Sequence, residues 1–261
     1  MHPMTIVSRL RIVLAAGALA LAGCATSYVV PGPRADMRAF GGGTAGASAP
    51  GGASPQDSLA LKPAVTFPAT LAFVRVQAPG YSSYSVHRAA DSATISSAYS
   101  VIATREVEDD TQVDRLGRLP QIAGTTTISR MLLPTELRSD RELRDAAARL
   151  HADLLLVYTF DTNFFETDQA RPLTVITLGL SPTRKFRVST TVSALLLDTR
   201  TGYIYAAYDT THKAEARSTS WSTGDTADET RRDNERQAFG QLMDEVEKTW
   251  PKLLAQYGHQ G

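Results

Sequence analysis

Paired carboxylates are the first residues in this chain whose types suit catalysis. Asp109 and Asp110 are adjacent, and Asp161 and Glu166 lie close together in the chain. Two carboxylates held in different environments can act as a general acid and a general base. No pattern around either pair indicates a shared buried pocket, and such charges are usually solvated on loops or helix ends. We therefore expect these acids to be structural.

Histidines are the next candidates, and the chain has five of them. They are His2, His87, His151, His212 and His259. None has metal-ligand spacing to another histidine or to a cysteine. The chain also lacks a G-x-S-x-G elbow, a phosphate-binding glycine loop and an H-E-x-x-H helix. The sequence therefore predicts a noncatalytic protein without a metal or a cofactor.

Two further groups of residues suit binding. The basic group Arg184, Lys185 and Arg187 suits an anionic glycan or a lipid headgroup, although such a group often forms a solvated hairpin end. The tyrosines of the run Tyr203–Tyr208 suit either a binding surface or the cover of a sheet face, and we favour the cover. Basic and acidic residues balance at 27 each, so nothing predicts capture of nucleic acid.

The amino terminus has the pattern of a secretory signal. Arg9 and Arg11 precede the apolar run Ile12–Gly23. A membrane-spanning helix needs about 20 apolar residues, and this run is shorter. Residues 1–23 are therefore predicted to be a signal peptide that is removed.

The run ends in Leu21-Ala22-Gly23-Cys24, which resembles the lipobox of bacterial lipoproteins. The resemblance implies cleavage before Cys24 and lipid, including palmitate, on that residue. It also implies an outer-membrane location facing the periplasm, because Ala25 stands where many inner-membrane lipoproteins have Asp. Cys24 is the only cysteine, so a lipid there leaves no thiol for a disulfide or for catalysis.

Residues 24–58 read as the lipidated terminus and a flexible linker, because they are rich in Gly, Pro and Ser. Residues 59–261 are long enough for a single domain, and no second composition boundary divides them.

Short apolar runs at Leu71–Val76 and Tyr99–Thr104 predict strands, and the acidic stretch Glu106–Asp114 is a candidate helix start. Residues 117–134 carry no clear pattern.

The second half of the chain is easier to interpret. Ser139 and Glu142 have the spacing of a capping box, which predicts a helix over Ser139–Leu150. The apolar run Asp153–Tyr158 follows at once and predicts a strand covered on both faces. Regular alternation over Phe186–Leu197 predicts a further strand.

The chain then turns back on itself. The turn Asp198–Gly202 and the run Tyr203–Tyr208 predict a hairpin. An apolar stripe over Thr226–Tyr257 predicts a last helix, with a kink near Pro251. Together these elements predict an α+β domain, with a mixed, largely antiparallel sheet packed against helices.

This order of elements resembles the domain shared by curli-secretion lipoproteins, lipoprotein activators of penicillin-binding proteins and the amino-terminal domain of TolB. The residues that carry the resemblance are the step Ala152-Asp153 into a central strand and the turn Asp198-Thr199-Arg200-Thr201-Gly202. There is a looser similarity to uncharacterised rhombotarget lipoproteins. An apolar segment, Leu173–Leu180, departs from the shared pattern.

The penicillin-binding-protein activators have the layout found here, with a lipid anchor, a linker and one small domain. The resemblance implies a noncatalytic module of the cell envelope that binds another envelope protein. Two alternatives remain open: a protein that binds or hydrolyses envelope glycan, and an oligomeric secretion component.

Overall fold

In the computed structural model, the described residues are 31–40, 55–83, 97–103, 105–168, 184–218 and 223–258. The strands are β1 (Ala69–Gln77), β2 (Ser100–Ile102), β3 (Ile122–Thr127), β4 (Leu154–Asp168), β5 (Arg184–Asp198) and β6 (Ile204–Ser218). The helices within these ranges are α1 (Pro55–Ala60), α2 (Asp110–Gly117), α3 (Asp140–Arg149) and α4 (Thr223–Tyr257).

The six strands form one mixed sheet in the order β2-β1-β4-β5-β6, and β3 also pairs with β1. The pairs β1–β3 and β1–β4 are parallel, whereas β1–β2, β4–β5 and β5–β6 are antiparallel. The α+β prediction is therefore confirmed. The first half of β4 lies between β1 and β5, which explains its continuous apolar sequence.

Alternation along the strands gives the sheet two apolar faces. On one face, Leu143, Ala146 and Ala147 of α3 are fully buried in a cluster with side chains of β1 and β4. The capping box predicted for this helix is present. The side chain of Ser139 accepts a backbone N–H of the first helical turn, and the carboxylate of Glu142 accepts the backbone N–H of Ser139.

The opposite face is covered by α2 and by α4, which has 35 residues and continues through Pro251. A helix of this length extends for about 52 Å, close to the length of the 15-residue strands beneath it. Its apolar stripe supplies Phe239, Leu242, Met243, Val246, Trp250 and Leu253 to the larger core cluster. The predicted stripe is therefore confirmed.

The sheet narrows to three strands beyond Tyr158, where β4 ceases to pair with β1. From Thr159 onward, β4 pairs only with β5, and β5 pairs with β6 over the same length. We call this part of β4, β5 and β6 the three-stranded extension. Its inner face is the one packed under α4, and its outer face is the one on the side of α3.

Residues 31–40 belong to the predicted linker, yet they pack against the domain. Ala35 and Phe40 are buried, and the backbone N–H of Ala35 donates to the hydroxyl of Thr159 over 3.0 Å. The backbone N–H of Gly32 donates to the carbonyl of Ser82, so the segment is fixed at more than one point. The stretch 31–40 is part of the folded domain.

Candidate functional site

Two places in the domain concentrate polar chemistry: a buried cluster beneath α4 and the outer face of the three-stranded extension. The buried cluster joins the sheet, the segment before α2 and the first half of α4. Its members are Arg75, Glu106, Glu108, Asp228, Arg231, Asn234 and Glu235. Charged residues are rarely buried unless they are paired, so this cluster is the first candidate for a functional site.

Arg231 is the centre of the cluster, and it has no exposed surface. Its guanidinium donates to Asp228 over 2.9 Å, to Glu235 over 2.8 Å and to Glu106 over 3.0 Å. Burial alone would lower the pKa of Arg231, but the charges of Glu235 and Asp228 outweigh it, so the pKa lies above its ordinary value. One cation thus holds three acids from two segments of the chain.

Arg75 occupies a different environment, since it projects from the middle of a buried strand. Its guanidinium carbon lies 4.5 Å from the ring centre of Phe160, and its Nη2 donates to the hydroxyl of Tyr81 over 3.3 Å. The carboxylates of Glu108 and Glu235 are 3.9 and 3.6 Å away. Among the described residues, Nε and Nη1 of Arg75 have no hydrogen-bond partner, so the site has spare donors.

Hydroxyl groups complete the cluster from the sheet. Tyr158 donates to Glu108 over 3.0 Å, and Thr162 donates to Glu235 over 2.9 Å. Burial, and then the negative charge of Glu108, raises the pKa of Tyr158 well above its ordinary value, so the phenol remains protonated as a donor. The carboxylates are therefore engaged by arginines and hydroxyls, and this arrangement fixes α4 to the sheet.

Besides these two places, the buried Asp198 stabilises the turn between β5 and β6. Asp198 is fully buried and accepts the backbone N–H groups of Arg200 and Thr201 on one carboxylate oxygen. The other oxygen accepts the hydroxyl of Tyr205 and the backbone N–H of Ala64, each over 2.7 Å. An Asp at the start of this turn is needed as a multiple acceptor.

The backbone conformation and the close packing at the last residue of the turn both require glycine. Gly202 has a φ of 75°, and a Cβ there would lie 3.2 to 3.3 Å from atoms of Asp140 and Arg144. Asp153 accepts the backbone N–H of Thr70, which joins β4 to β1. The residues that carry the family resemblance thus have structural roles in this chain.

The acids singled out from the sequence are not brought together. Asp109 caps the amino terminus of α2, and its contact with the N–H of Thr111 lowers the pKa of this exposed carboxyl. Asp110 forms an exposed ion pair with Arg105. Asp161 lies on the outer face, and the side chain of Glu166 is outside the described residues.

The histidines and basic residues are similarly dispersed. His151 follows α3 with a φ of 57°, and Nδ1 of His212 lies 3.3 Å from the amide of Gln241. Arg187 forms an exposed ion pair with Glu215 over 2.7 Å. The other residues of interest are outside the described backbone or side chains, namely Cys24, His2, His87, His259, Arg184, Lys185 and Leu173–Leu180.

Tyr203, just before β6, and the tyrosines of β6 pack against the end of α4. The hydroxyls of Tyr203 and Tyr257 are 3.0 Å apart, and the rings of Tyr205 and Tyr257 meet edge to face at 4.9 Å. Tyr208 is buried and its hydroxyl lies 3.0 Å from that of Thr249. These contacts support packing rather than a binding surface.

The outer face of the extension is the second polar concentration, and it is exposed. Rows of side chains run across β4, β5 and β6, and within three of these rows a side chain of β5 bonds to one of β6. The links are Ser193–Asp209 (2.5 Å), Thr191–Thr211 (2.8 Å) and Arg187–Glu215 (2.7 Å). Because polar side chains bond across the strands, this face is a preformed surface rather than a set of separate mobile groups.

No family model and no curated protein matches the chain. Within the described ranges, no helix is long and apolar enough to cross a membrane. In the same part of the chain, no group of three or more His, Cys, Asp or Glu residues is arranged to hold a metal ion.

Proposed function

We propose that the protein is a lipid-anchored module of the bacterial envelope that binds another envelope protein through the outer face of its three-stranded extension. The anchor rests on the sequence, where Leu21-Ala22-Gly23-Cys24 ends an apolar run preceded by Arg9 and Arg11. The module sits at the outer membrane and faces the periplasm. Its action is noncatalytic.

The binding role is supported by the contrast between the buried cluster beneath α4 and the outer face of the extension. The buried acids are engaged by Arg75 and Arg231, so they serve to hold the helix on the sheet. The outer face, by contrast, presents polar groups to solvent on a rigid surface. Binding through such a surface costs little conformational entropy, because its side chains are already linked to one another.

Phe165 gives this face an aromatic anchor. Its side chain is 58% exposed and lies directly across from Arg187 in the register of β4 and β5. Aromatic and arginine side chains are enriched among the residues that dominate protein-binding energies. A glycan is the second candidate ligand, since an exposed aromatic ring on the same face as an arginine also suits the apolar face and hydroxyls of a sugar.

Metabolic labelling tests the anchor. Labelled palmitate is expected on the wild-type chain and absent from Cys24→Ala, because the thioether requires the cysteine sulfur. Cell fractionation of the same two strains is expected to move the variant out of the membrane fraction. Label that persists on Cys24→Ala refutes the anchor.

Site-specific photocrosslinking in intact cells tests the binding role. A photoreactive residue placed at Asn163 or at Ser189, both on the outer face, is expected to form a reproducible adduct with a second polypeptide. The matched control is Met131, which is 95% exposed and lies in the segment before α3. Adducts at Asn163 and Ser189 but not at Met131 support the proposal.

The other outcomes of this experiment are equally decisive. Adducts that contain only glycan favour the second candidate and reject the protein partner. Equal adducts at all three positions show unspecific contact and reject the outer face as the binding surface. Absence of adducts at Asn163 and Ser189 also rejects it.

A further inference from the structure

The last strand of the sheet, β6, has an open edge. It is the terminal strand in the order of the sheet, and it has 15 residues. Within the described ranges no strand pairs with its outer side, and alternate residues direct their N–H and C=O groups away from β5. An edge of this length is a template for another strand.

A groove lies beside the middle of this edge, at Thr210 and Thr211. It has a volume of about 380 Å³ and lies between β6 and α4. The lining residues are Thr210, Thr211, Gln241, Asp244, Glu245 and Lys248. The helix therefore borders the open edge without covering it, and an added strand would be bounded by α4 on one face.

We propose that the added strand is β6 of a second copy of this chain, paired antiparallel about a two-fold axis at Thr211. This inference goes beyond the proposed function, because it concerns the edge of β6 and not the outer face of the extension. Thr211 is the midpoint of β6 (Ile204–Ser218), so the register uses every residue of the strand. Such a pair forms about 14 backbone hydrogen bonds, because every second residue pair exchanges two.

Charge selects this register. With the axis at Thr211, the exposed Asp209 of each copy lies directly across from the partner's Lys213, and the contact occurs twice. Moving the axis to residue 212 places Asp209 across from the partner's Glu215. Moving it to residue 213 places Lys213 across from the partner's Lys213. Neighbouring registers on that side therefore bring like charges together.

The charges on β6 have an alternative explanation as protection of the edge. A charge on an edge strand discourages pairing when nothing opposite complements it. On β6, however, Asp209 and Lys213 have opposite charges and stand symmetrically about the midpoint, so each complements its symmetry mate. The pattern fits a strand that pairs with itself.

Disulfide trapping of the full-length protein in native membranes tests the register. Thr211→Cys places two thiols at the axis, where paired residues have Cα atoms about 5 Å apart, within the range for a disulfide. Mild oxidation is expected to give a covalent dimer. The matched control is Glu215→Cys on the same face of the same strand, where the two thiols are about 27 Å apart and no dimer is expected.

Wild-type protein, whose only cysteine is Cys24, is oxidised alongside and reports any dimer linked through that residue. A dimer in Thr211→Cys alone supports the proposal. Equal dimers in Thr211→Cys and Glu215→Cys overturn it, and so does the absence of a dimer in Thr211→Cys.

A charge swap provides the second arm. In the Thr211→Cys background, Asp209→Lys and Lys213→Asp are each expected to reduce the dimer yield at least tenfold, because each places like charges across the interface. The double variant, which exchanges the two charges, is expected to restore the yield. Restoration distinguishes the proposed pair from a folding defect in a single variant, and its failure overturns the register.

The two proposals fail separately. If Thr211→Cys gives no dimer but Asn163 and Ser189 still crosslink to a different protein, the second copy is excluded and the protein-binding function stands. If neither experiment yields a polypeptide adduct, both proposals fail.

Discussion

Replacing Arg231 by methionine is expected to lower the free energy of unfolding by about 3–5 kcal/mol, which is typical for breaking a buried ion pair by removing one partner. The reason is the set of carboxylates left behind. Glu106, Asp228 and Glu235 all bond to this guanidinium, and their side chains are between 0 and 10% exposed. Without it, Glu106 loses this ion pair and Glu235 keeps only the more distant Arg75, so the buried negative charge is compensated less well. Urea unfolding monitored by circular dichroism measures the change.

Arg232 provides the matched control on the same helix. Its side chain is 43% exposed and forms an ion pair with Asp228 over 3.1 Å. Arg232→Met is expected to change the free energy by no more than about 1 kcal/mol, because this guanidinium is partly exposed and Asp228 keeps its bond to Arg231. Arg231→Lys keeps the charge but loses the fork of donors, so an intermediate loss is expected. Equal stability of the Arg231→Met and wild-type proteins would show that the cluster is energetically neutral.

The second large effect is expected at Trp250, which is 1% exposed. Its ring meets Phe67 edge to face at 6.2 Å, and its Nε1–H donates to the carbonyl of Pro120 over 2.8 Å. Trp250→Ala leaves a cavity and an unpaired carbonyl, and we expect a loss of about 3–5 kcal/mol. Chemical unfolding followed by tyrosine fluorescence or circular dichroism measures it.

Two variants separate the contributions at this position. Trp250→Phe keeps most of the buried apolar surface and removes the donor, so we expect a loss of about 1–2 kcal/mol. Lys252→Ala changes an exposed residue two positions along the same helix, and its effect is expected to be within about 0.5 kcal/mol. A Trp250→Ala protein as stable as Lys252→Ala would contradict the packing seen here.

The core elements were predictable because their signals are local. The capping box at Ser139 and Glu142 located α3, and the regular alternation after Phe186 located β5. The polar continuation of β4 beyond Tyr158 was missed, since its residues pair only with β5 and carry no apolar run of their own. β3 was also missed, because its residues Ile122–Thr127 are only partly buried and lack a strict pattern.

The buried cluster was not predicted, although the sequence holds a signal for it. Continuing the apolar stripe of α4 backward from Phe239 at helical spacing leads to Glu235, Arg231 and Asp228, so charged residues occupy core positions. Arg75, likewise, interrupts the apolar strand β1. No periodicity in either segment shows that the two meet, because their contact depends on how β1 and α4 come together in the folded domain.

If Cys24 carries a lipid, the packing of residues 31–40 against Thr159 and Ser82 limits how far the domain can lie from the membrane. A free linker as long as residues 24–58 would extend for up to about 120 Å. With Pro31 already on the domain, only residues 25–30 separate it from Cys24, and a fully extended chain of that length spans about 25 Å. A lipid on Cys24 would therefore hold the domain against the membrane surface. Thr159 begins the three-stranded extension, so in a protein anchored in this way a partner of that extension would also lie close to the bilayer.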